Sequence, residues 1–502
     1  MFLSRLIRVA LILPWFVLYA WLARRAVLRR PGETFKDKLA DLLKLREPSI
    51  YLDSARVLVF AVWLFNSPDP ETLKATLTRS LPMASPIGIF KLIPIQSIPL
   101  WTVDVGTWAY RAAILVALLG IATRAGSAIA ALLHVFLWSL SFSFGYSVHN
   151  HVVPMALLTL ALCPEPSPFL GKYWKAHQEK RPLTEVGSYP AYMIEAVRFA
   201  FVTVYVQAGM EKALQSGFRY FNGITLQTHF LWGLQKITKA SVWPLWLLGL
   251  IAFGVVVWEC AFGLVHFYPK WRIPFVLSAW FFHEVVRHTI SINPFTFLES
   301  GILFFIPPFE LALLRKGQSA PREVPKSDSG GLSPGLRNAM LAGVAAICAL
   351  QWAPFFLRRG EYPILSFSLF SGSYSGGEVQ PRAGAVEVRA SANEPWRRID
   401  ETKSLAMHHV AFGEFITSRY APFYFRDRPL SLPGYAKQDV LEDHREEQCQ
   451  YLLGEVRKYT YPEVNEARIM LTYYVVSDLE EREDMVYSCK LAPQATAAAP
   501  AR

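Results

Sequence analysis

Long apolar stretches recur along the first 358 of the 502 residues and then stop. A transmembrane helix needs about 20 mostly apolar residues. Segments that approach this length lie at 6–22, 50–66, 107–123, 126–145, 149–163, 190–212, 242–266, 273–290, 293–313 and 338–357. Arg8 shortens the first of them, so that segment fits an interfacial helix or an uncleaved signal anchor as well as a span. The pattern predicts an all-α polytopic membrane domain of about 9–10 transmembrane helices.

The pattern changes after the last apolar segment. Gly384–Ala390 and Ala467–Ser477 alternate apolar and polar residues, as strands do, and Lys437–Lys458 has the apolar spacing of an amphipathic helix. Gly317–Gly335 is rich in Pro, Gly and Ser, which is typical of a flexible linker. The sequence therefore predicts a small α+β domain behind the membrane helices.

These observations divide the chain into six parts. They are an N-terminal helix with a basic cytoplasmic loop (1–49), a transmembrane domain (50–313), a flexible cytoplasmic linker (314–337), a last transmembrane helix (338–358), an extracytoplasmic α+β domain (359–492) and a disordered tail (493–502).

Composition and charge support this division. Hydrophobic residues make up 52% of the chain and charged residues only 18%, whereas soluble domains carry about a quarter. Residues 1–358 contain 34 basic and 19 acidic side chains, and residues 359–502 contain 17 and 21, so the net charge of +11 belongs to the apolar part. Across alternate loops, 20 Lys and Arg fall on one side and 8 on the other. This positive-inside bias predicts a bacterial inner-membrane protein with an extracytoplasmic tail, and it argues against a nucleic-acid partner.

The five cysteines fall into two groups. Cys163, Cys260 and Cys348 lie in or beside apolar segments, where core packing explains them. Cys449 and Cys489 are the only pair in the predicted extracytoplasmic domain. An oxidising compartment permits a disulfide between them, but sequence cannot show whether the two sulfur atoms meet, so both states remain open.

Known catalytic motifs are missing from the sequence. It has no P-loop, no CxxC pair and no HExxH, and we expect no metal site. Chemistry must then come from polar residues within the apolar segments, each of which is expensive to bury. Glu211 and Lys212 end one such segment: Lys212 is either a base at a partly desolvated helix end or a side chain that snorkels to the interface.

Two further polar clusters lie in apolar segments. His149 and His151 are two residues apart, so on a helix they diverge and do not form a two-His metal site; each is either functional or simply hydrogen-bonded. The other cluster has two i, i+4 pairs, which serve either internal ion pairing or a functional site. It consists of His283, Glu284, Arg287 and His288.

Isolated polar residues are predicted to be mainly packing partners. They are Arg56, Arg111, His134, Glu195, Arg198, Glu259, His266 and Glu299. The alternation of spans places Lys212 and His151 on the outer side, with His288 nearer to it than His283. The sequence therefore predicts an outward-facing polar cavity, which Glu259, His149, Glu211, Glu284, Arg287 and His288 could line.

Three segments in this order and spacing resemble the HTTM (horizontally transferred transmembrane) domain, the membrane domain of vitamin K-dependent gamma-carboxylases and their bacterial relatives. They are Gly145–Pro164 (GYSVHNHVVPMALLTLALCP), Ala200–Gly223 (AFVTVYVQAGMEKALQSGFRYFNG) and Trp280–Pro308 (WFFHEVVRHTISINPFTFLESGILFFIPP). The similar region, about 50–312, is roughly half of the chain.

The resemblance implies a chemistry and roles for three residues. In the carboxylases a reduced quinone is oxygenated to a strong base, which takes a proton from a glutamate side chain before carbon dioxide adds. By position, Lys212 corresponds to the Lys that deprotonates the hydroquinone, and His151 and His283 correspond to supporting histidines. The implied cofactor is a reduced quinone of the vitamin K or menaquinone type.

The sequence departs from the carboxylases in two places that bear on their glutamate substrate. Glu211 stands where the family has a second Lys, and Ser366–Gly372 replaces a Trp-Asp-Met-Met-like stretch.

Three hypotheses of function follow. The first is a quinol-linked carboxylase or oxidase, whose extracytoplasmic part could meet a protein substrate. The second is a non-catalytic membrane scaffold or assembly factor whose tail binds a protein partner. A transporter is a weaker third, because the sequence shows no internal repeat.

Overall fold

The computed structural model describes most of the chain beyond residue 44. The described residues are 45–79, 84, 86–144, 152–164, 168–213, 220–231, 243–266, 268, 271–290, 296–309, 333–357, 379–405, 409–425, 443–475 and 481–490. They fall into two compact units. Unit 1 takes its residues from Met1–Pro68, Trp101–Ser139 and Ser147–Ser373, and unit 2 from Asp69–Leu100, Leu140–Tyr146 and Tyr374–Arg502.

Helices dominate the described residues. In chain order they are α1 (Ser49–Phe65), α2 (Pro70–Arg79), α3 (Leu100–Leu119), α4 (Thr123–Phe142), α5 (Val152–Ala161), α6 (Leu170–Gln178), α7 (Ala191–Glu211), α8 (Ile224–Leu231), α9 (Leu245–Ala261), α10 (Arg272–Ile290), α11 (Thr296–Gly301), α12 (Pro334–Leu357), α13 (Glu401–Leu405), α14 (His409–Tyr424) and α15 (Arg445–Tyr459). Short 3₁₀ turns lie at Gly88–Lys91, Ile95–Ser97, Leu183–Glu185, Phe262–His266 and Ile302–Phe304.

Among the described residues, five helical segments are long and apolar enough to cross a membrane, or six if α1 and α2 form one span. They are Leu100–Leu119, Thr123–Phe142, Ala191–Glu211, Leu245–His266 and Pro334–Ala353. Each overlaps a segment predicted from the sequence. The structure thereby confirms a mostly helical part that contains candidate membrane spans.

The remaining predicted spans differ from these five. α5 is apolar but has only ten residues, and the predicted span at 6–22 lies outside the described residues. A continuous helix over 293–313 is wrong for the described part, where six-residue α11 gives way to a 3₁₀ turn. Gly301 packs tightly against the Phe201 ring there, and consecutive prolines at 307–308 cannot continue a helix.

The packing of unit 1 centres on α7. This helix contacts α5, α9 and α12, and nearly all of its residues are buried. The sequence of such a helix is apolar around its whole circumference, because every face packs against protein. A two-stranded antiparallel ribbon of β1 (Arg46–Pro48) and β2 (Ser188–Pro190) leads into α1 and α7. α7 is thus the element that positions the buried polar groups described below.

Unit 2 contains a four-stranded antiparallel sheet with the order β4-β3-β5-β6. The strands are β3 (Val379–Arg389), β4 (Arg397–Arg398), β5 (Glu466–Val475) and β6 (Glu481–Lys490). α14 and α15 pack with this sheet around an apolar core. Gly384 allows the close approach, since a Cβ there would overlap the Ile416 side chain. A small α+β part behind the helices is therefore confirmed.

Two features of unit 2 go beyond the sequence pattern. Cys449 on α15 and Cys489 on β6 form a disulfide with a Cα–Cα distance of 6.1 Å. α2, which follows the first apolar helix, joins the same unit: the Arg79 guanidinium stacks on the Tyr459 ring at 4.1 Å, and the Tyr451 hydroxyl donates to the Arg79 carbonyl. Unit 2 thus combines the C-terminal domain with the segment around α2, which lies far from that domain in sequence.

The predicted elements of this domain match the structure with shifted bounds. The strand predicted at Gly384–Ala390 belongs to β3, and that at Ala467–Ser477 to β5. The predicted helix Lys437–Lys458 corresponds to α15, which begins at Arg445; its first predicted residues lie outside the described ones. The proposed linker lies mostly outside them as well, but α12 begins at Pro334, four residues before the predicted start of the last span. The tail 493–502 is also outside the described residues.

Candidate functional site

A buried ion pair joins α7 to α9. The Lys212 amine, at the C-terminal end of α7, donates to both carboxylate oxygens of Glu259, at 2.5 and 2.7 Å. Each side chain is only 4% exposed. Removing both groups from water is costly, and the two-oxygen contact is the geometry that offsets this cost best. The chain therefore maintains a charged or hydrogen-bonded couple within two of its apolar helices.

Gly209 brings the two helices close enough for this pair. A Cβ at position 209 would lie 2.8 Å from the Cys260 sulfur and 2.9 Å from the Glu259 Cβ. Any larger residue would force the helices apart. Because Lys212 follows Gly209 by three residues, it lies on the same side of α7, facing α9. The close approach therefore sets the position of the amine opposite the carboxylate.

A second buried polar group lies on α7, α10 and α11. The Tyr205 hydroxyl is 3.3 Å from Nε2 of His283, and Nδ1 of His283 is 3.8 Å from a carboxylate oxygen of Glu299. Tyr205 and His283 are buried, while the Glu299 side chain is 17% exposed. The three groups form a Tyr–His–carboxylate series, an arrangement that can pass a proton if its last contact shortens.

Aromatic rings surround the Tyr205 end of this series. The Tyr205 ring stacks on Phe262 with centroids 4.2 Å apart and meets the edge of Trp258 at 5.6 Å. The Trp258 indole N–H donates to the Ser278 hydroxyl at 2.9 Å. These contacts fix α9 and α10 around α7, so the polar side chains are supported by a rigid apolar wall.

The two polar groups share one face of α7. Tyr205 and Lys212 are seven residues apart, which is almost two full turns, so their Cα atoms lie about 10 Å apart along the helix. Glu259 near the end of α9 and Phe262 at the start of the following 3₁₀ turn, which contact Lys212 and Tyr205, are spaced by three residues and also lie on one side. One face of α7 thus carries both the amine of the Lys212–Glu259 pair and the phenol of the Tyr205–His283 contact.

The structure places the other predicted residues away from this pair or leaves them undescribed. Glu211 is buried beside Lys212 but has other interactions, and Glu284 is exposed on α10. His149 and His151, and the side chains of Arg287 and His288, lie outside the described residues. Of the three predicted catalytic residues, Lys212 and His283 therefore lie in one set of packed helices, and the position of His151 is not described.

The sequence did not single out Tyr205. It predicted Glu259 as a packing partner or cavity-lining residue and Glu299 as a packing partner, without their contacts. A tyrosine in an apolar segment carries no signal, since its ring packs like any other aromatic side chain. Glu259 and Glu299 were visible as isolated charges, but their partners are 47 and 16 residues away along the chain. A charge in an apolar helix does predict a buried partner. It does not say which one.

The other end of α7 carries a separate charge cluster. Glu195 accepts from Arg198 at 2.5 Å, from Arg272 at 3.0 Å and from Nδ1 of His266 at 2.9 Å. The Arg198 side chain also donates to the Phe304 carbonyl at 2.8 Å. The cluster ties α7 to the segments around α9, α10 and α11, which is a structural role.

Among the residues that the structure describes, no three His, Cys, Asp or Glu side chains are grouped closely enough to hold a metal ion. No protein-family model, curated protein or solved structure significantly matches this chain.

Proposed function

We propose that this chain is a polytopic inner-membrane protein of the HTTM type that carries out quinol-linked chemistry like that of the gamma-carboxylases, with Lys212 as the base. The observation that carries the proposal is the buried contact between the Lys212 amine and both oxygens of Glu259. The resemblance of the segment around Lys212 to the family's signature gives this contact its functional interpretation.

The pair can supply a neutral amine inside a dry site. Transfer of one proton from Lys212 to Glu259 converts an ammonium and a carboxylate into an amine and a carboxylic acid. The net charge of the pair stays at zero, so the low dielectric does not oppose the transfer as it opposes the creation of an isolated charge. Lys212 can then accept a proton from a bound hydroxyl group, with Glu259 as the reservoir.

We propose a reduced quinone as the cofactor, which would supply the electrons and the acidic hydroxyl groups of the reaction. Lys212, Glu259 and His283 would bind its polar groups, next to the aromatic rings of Phe262 and Trp258. The residues of the chain would hold and orient these groups, while the surrounding apolar helices would exclude water. His151 and His149 stay proposed neighbours on the resemblance alone.

The Cys449–Cys489 disulfide supports an extracytoplasmic position for unit 2, because such bonds persist in oxidising compartments. Labelling of single introduced cysteines in intact cells, one in α15 and one near residue 325, tests the orientation. The first should react with an impermeant maleimide and the second should not.

One observation favours the non-catalytic alternative. Lys212 and Glu259 satisfy each other, as a pair that only holds two helices together would. In that case the protein is a scaffold whose extracytoplasmic unit binds a partner. The two functions place different requirements on Lys212. A scaffold needs only an ion pair between α7 and α9, whichever helix carries the amine. Catalysis needs the amine to be on α7.

A charge exchange separates these functions. The full chain in nanodiscs, supplied with reduced menaquinone-4 and a glutamate-containing peptide, is expected to consume oxygen, and further to add labelled carbon dioxide to the peptide if it is a carboxylase. Lys212→Glu with Glu259→Lys restores an ion pair but moves the amine to α9, so it should keep the fold and lose turnover. Lys212→Met with Glu259→Met should behave alike, because apolar residues can replace a buried pair without unfolding.

Lys175→Ala, at a lysine whose side chain is 75% exposed, is the matched control and should keep full turnover. Full turnover in the exchanged variant, or in a variant with Lys212, His151 and His283 all changed to Ala, would remove Lys212 as the base. The scaffold would be left if the unaltered chain shows no turnover and all of these variants keep its function.

A further inference from the structure

The loop between α2 and α3 exposes apolar side chains in an unusual way. The part of it that the structure describes without a gap runs from residue 86 to Pro99 through two 3₁₀ turns, Gly88–Lys91 and Ile95–Ser97. Leu92 is 87% exposed and Ile93 is 49% exposed, at the corner between the turns. Soluble domains avoid placing adjacent large aliphatic side chains in water, so this corner needs an explanation.

The loop is held in a defined conformation by buried residues on both sides of the exposed corner. Phe90 and Ile95 are buried, and they flank the exposed corner on both sides. Gly88 begins the first turn with φ +57°, a conformation that larger residues rarely adopt, and the Ile87 amide donates to the Ser143 hydroxyl at 3.2 Å. Leu92 and Ile93 therefore project outward because the packed residues on either side hold them there.

Both ends of the loop are attached to membrane spans. The C-terminal end continues directly into α3 at Leu100, and Ser143, which anchors the N-terminal end, directly follows α4 at Phe142. α3 and α4 both qualify as spans. If α3 and α4 cross a membrane, the loop lies where these helices leave it. Trp101, 64% exposed in the first turn of α3, is the residue type that favours this interface.

We infer that Leu92 and Ile93 insert into the surface of the lipid bilayer and anchor unit 2 to it, whichever side of the membrane this surface faces. The apolar corner is continuous in sequence with the exposed apolar side chains that begin α3, which favours lipid over a protein partner as its occupant. Gln96 and Ser97, exposed on the second turn, would face the water. This contact is independent of the proposed chemistry and would hold for a scaffold as well as for an enzyme.

The test measures the depth of spin labels in nanodiscs made of phosphatidylcholine and phosphatidylglycerol. Labels are attached to Leu92→Cys, Ile93→Cys and, as the matched exposed control, Gln96→Cys, in the full chain with Cys163, Cys260 and Cys348 changed to Ala. At positions 92 and 93, collisions with oxygen relative to those with a water-soluble nickel chelate should be several-fold more frequent than at 96. Equal ratios at all three positions would overturn the inference.

A second copy of the chain is the competing occupant. It would broaden the spectrum at position 92 through spin–spin contact, and dilution with unlabelled chain would remove the broadening; this result would also overturn the inference. If the chain without its three free cysteines does not fold, labelling with a charged maleimide can be timed in the native background. The inference then requires Leu92→Cys to react several-fold more slowly than Gln96→Cys, and equal rates would refute it.

Discussion

The two units place their charged pairs in opposite positions. In unit 1, Lys212 and Glu259 meet inside the helix packing, with side chains 4% exposed. In unit 2, Arg468 pairs with Glu387, and Lys490 with Glu466, on the sheet face opposite the apolar core. A polar group inside packed apolar helices can form hydrogen bonds only with other protein groups. A polar group on a solvent-exposed sheet face can also form them with water. The same contact is therefore costly to break in one unit and dispensable in the other.

Breaking the buried pair should have the largest effect. Glu259→Ala leaves the Lys212 ammonium buried without its carboxylate, and we expect unit 1 to lose about 3–5 kcal/mol of stability. Thermal unfolding of the full chain in detergent, with hydrogen exchange of the α7 and α9 peptides, measures it. Replacement of both residues by Met should recover most of the loss. A double variant as unstable as the single one would mean that the contact itself, rather than the stranded charge, holds the helices.

Removing the disulfide should have the next largest effect, confined to unit 2. Cys449→Ser with Cys489→Ser releases a cross-link over 40 residues, and we expect a loss of about 2–4 kcal/mol. Amides of β5 and β6 should exchange faster, while those of α7 should not change. Cys348→Ser in α12 is the control. Unchanged exchange in β5 would show that the core of unit 2 suffices without the bond.

Breaking a surface pair should matter much less. Arg468→Ala removes the contact of 2.5 Å with Glu387 and the stacking on Trp396, and we expect a change under about 1 kcal/mol that shrinks further in salt. The same exchange measurement on β3 and β5 reports it. A loss as large as that of Glu259→Ala would contradict the contrast between the units.

Lowering the pH should have the smallest effect on the stability of unit 2. It acts through two carboxyl groups whose pKa values are shifted in opposite directions. Hydrogen bonds from Lys490 and Arg389 lower the pKa of Glu466, so its contribution is present above pH 4.5 and is lost as the pH falls through the lower folded value. Burial raises the pKa of Glu455, so its contribution is lost as the pH rises through the folded value. Glu466→Gln should flatten the acid loss of β5 protection, and Glu455→Gln should raise protection near neutral pH. An unchanged pH profile in both variants would contradict these shifts.

The sequence predicted the elements better than their partners. Strands β3 and β5 were visible because one face of each is buried and alternation follows from that. The sequence did not predict β6. Its first residues, Glu481–Asp484, are all charged, so the alternation of apolar and polar residues that marks a strand is absent there. α2 gave no hint that it belongs with the C-terminal domain, because a contact such as that of Arg79 with Tyr459 crosses 380 residues of chain.

The candidate site shows the same limit. Lys212 and His283 could be singled out from the cost of burying them, and Glu259 for the same reason. Their pairing could not be read from the chain, because it depends on how α7 and α9 are rotated about their axes. That rotation is set by packing at positions such as Gly209 and Phe262, which look like ordinary membrane-helix residues.

Gly209 makes the spacing between the amine and the carboxylate adjustable without any change of chemistry. One added methyl group at this position would act as a wedge against Cys260 and Glu259 and would lengthen the contact with Lys212 by a fraction of an ångström. How readily the proton moves between the two partners falls steeply with that length. A residue with no side chain would thereby set the distance between its two neighbours, and substitutions there would lengthen the contact while every charged group stays in place.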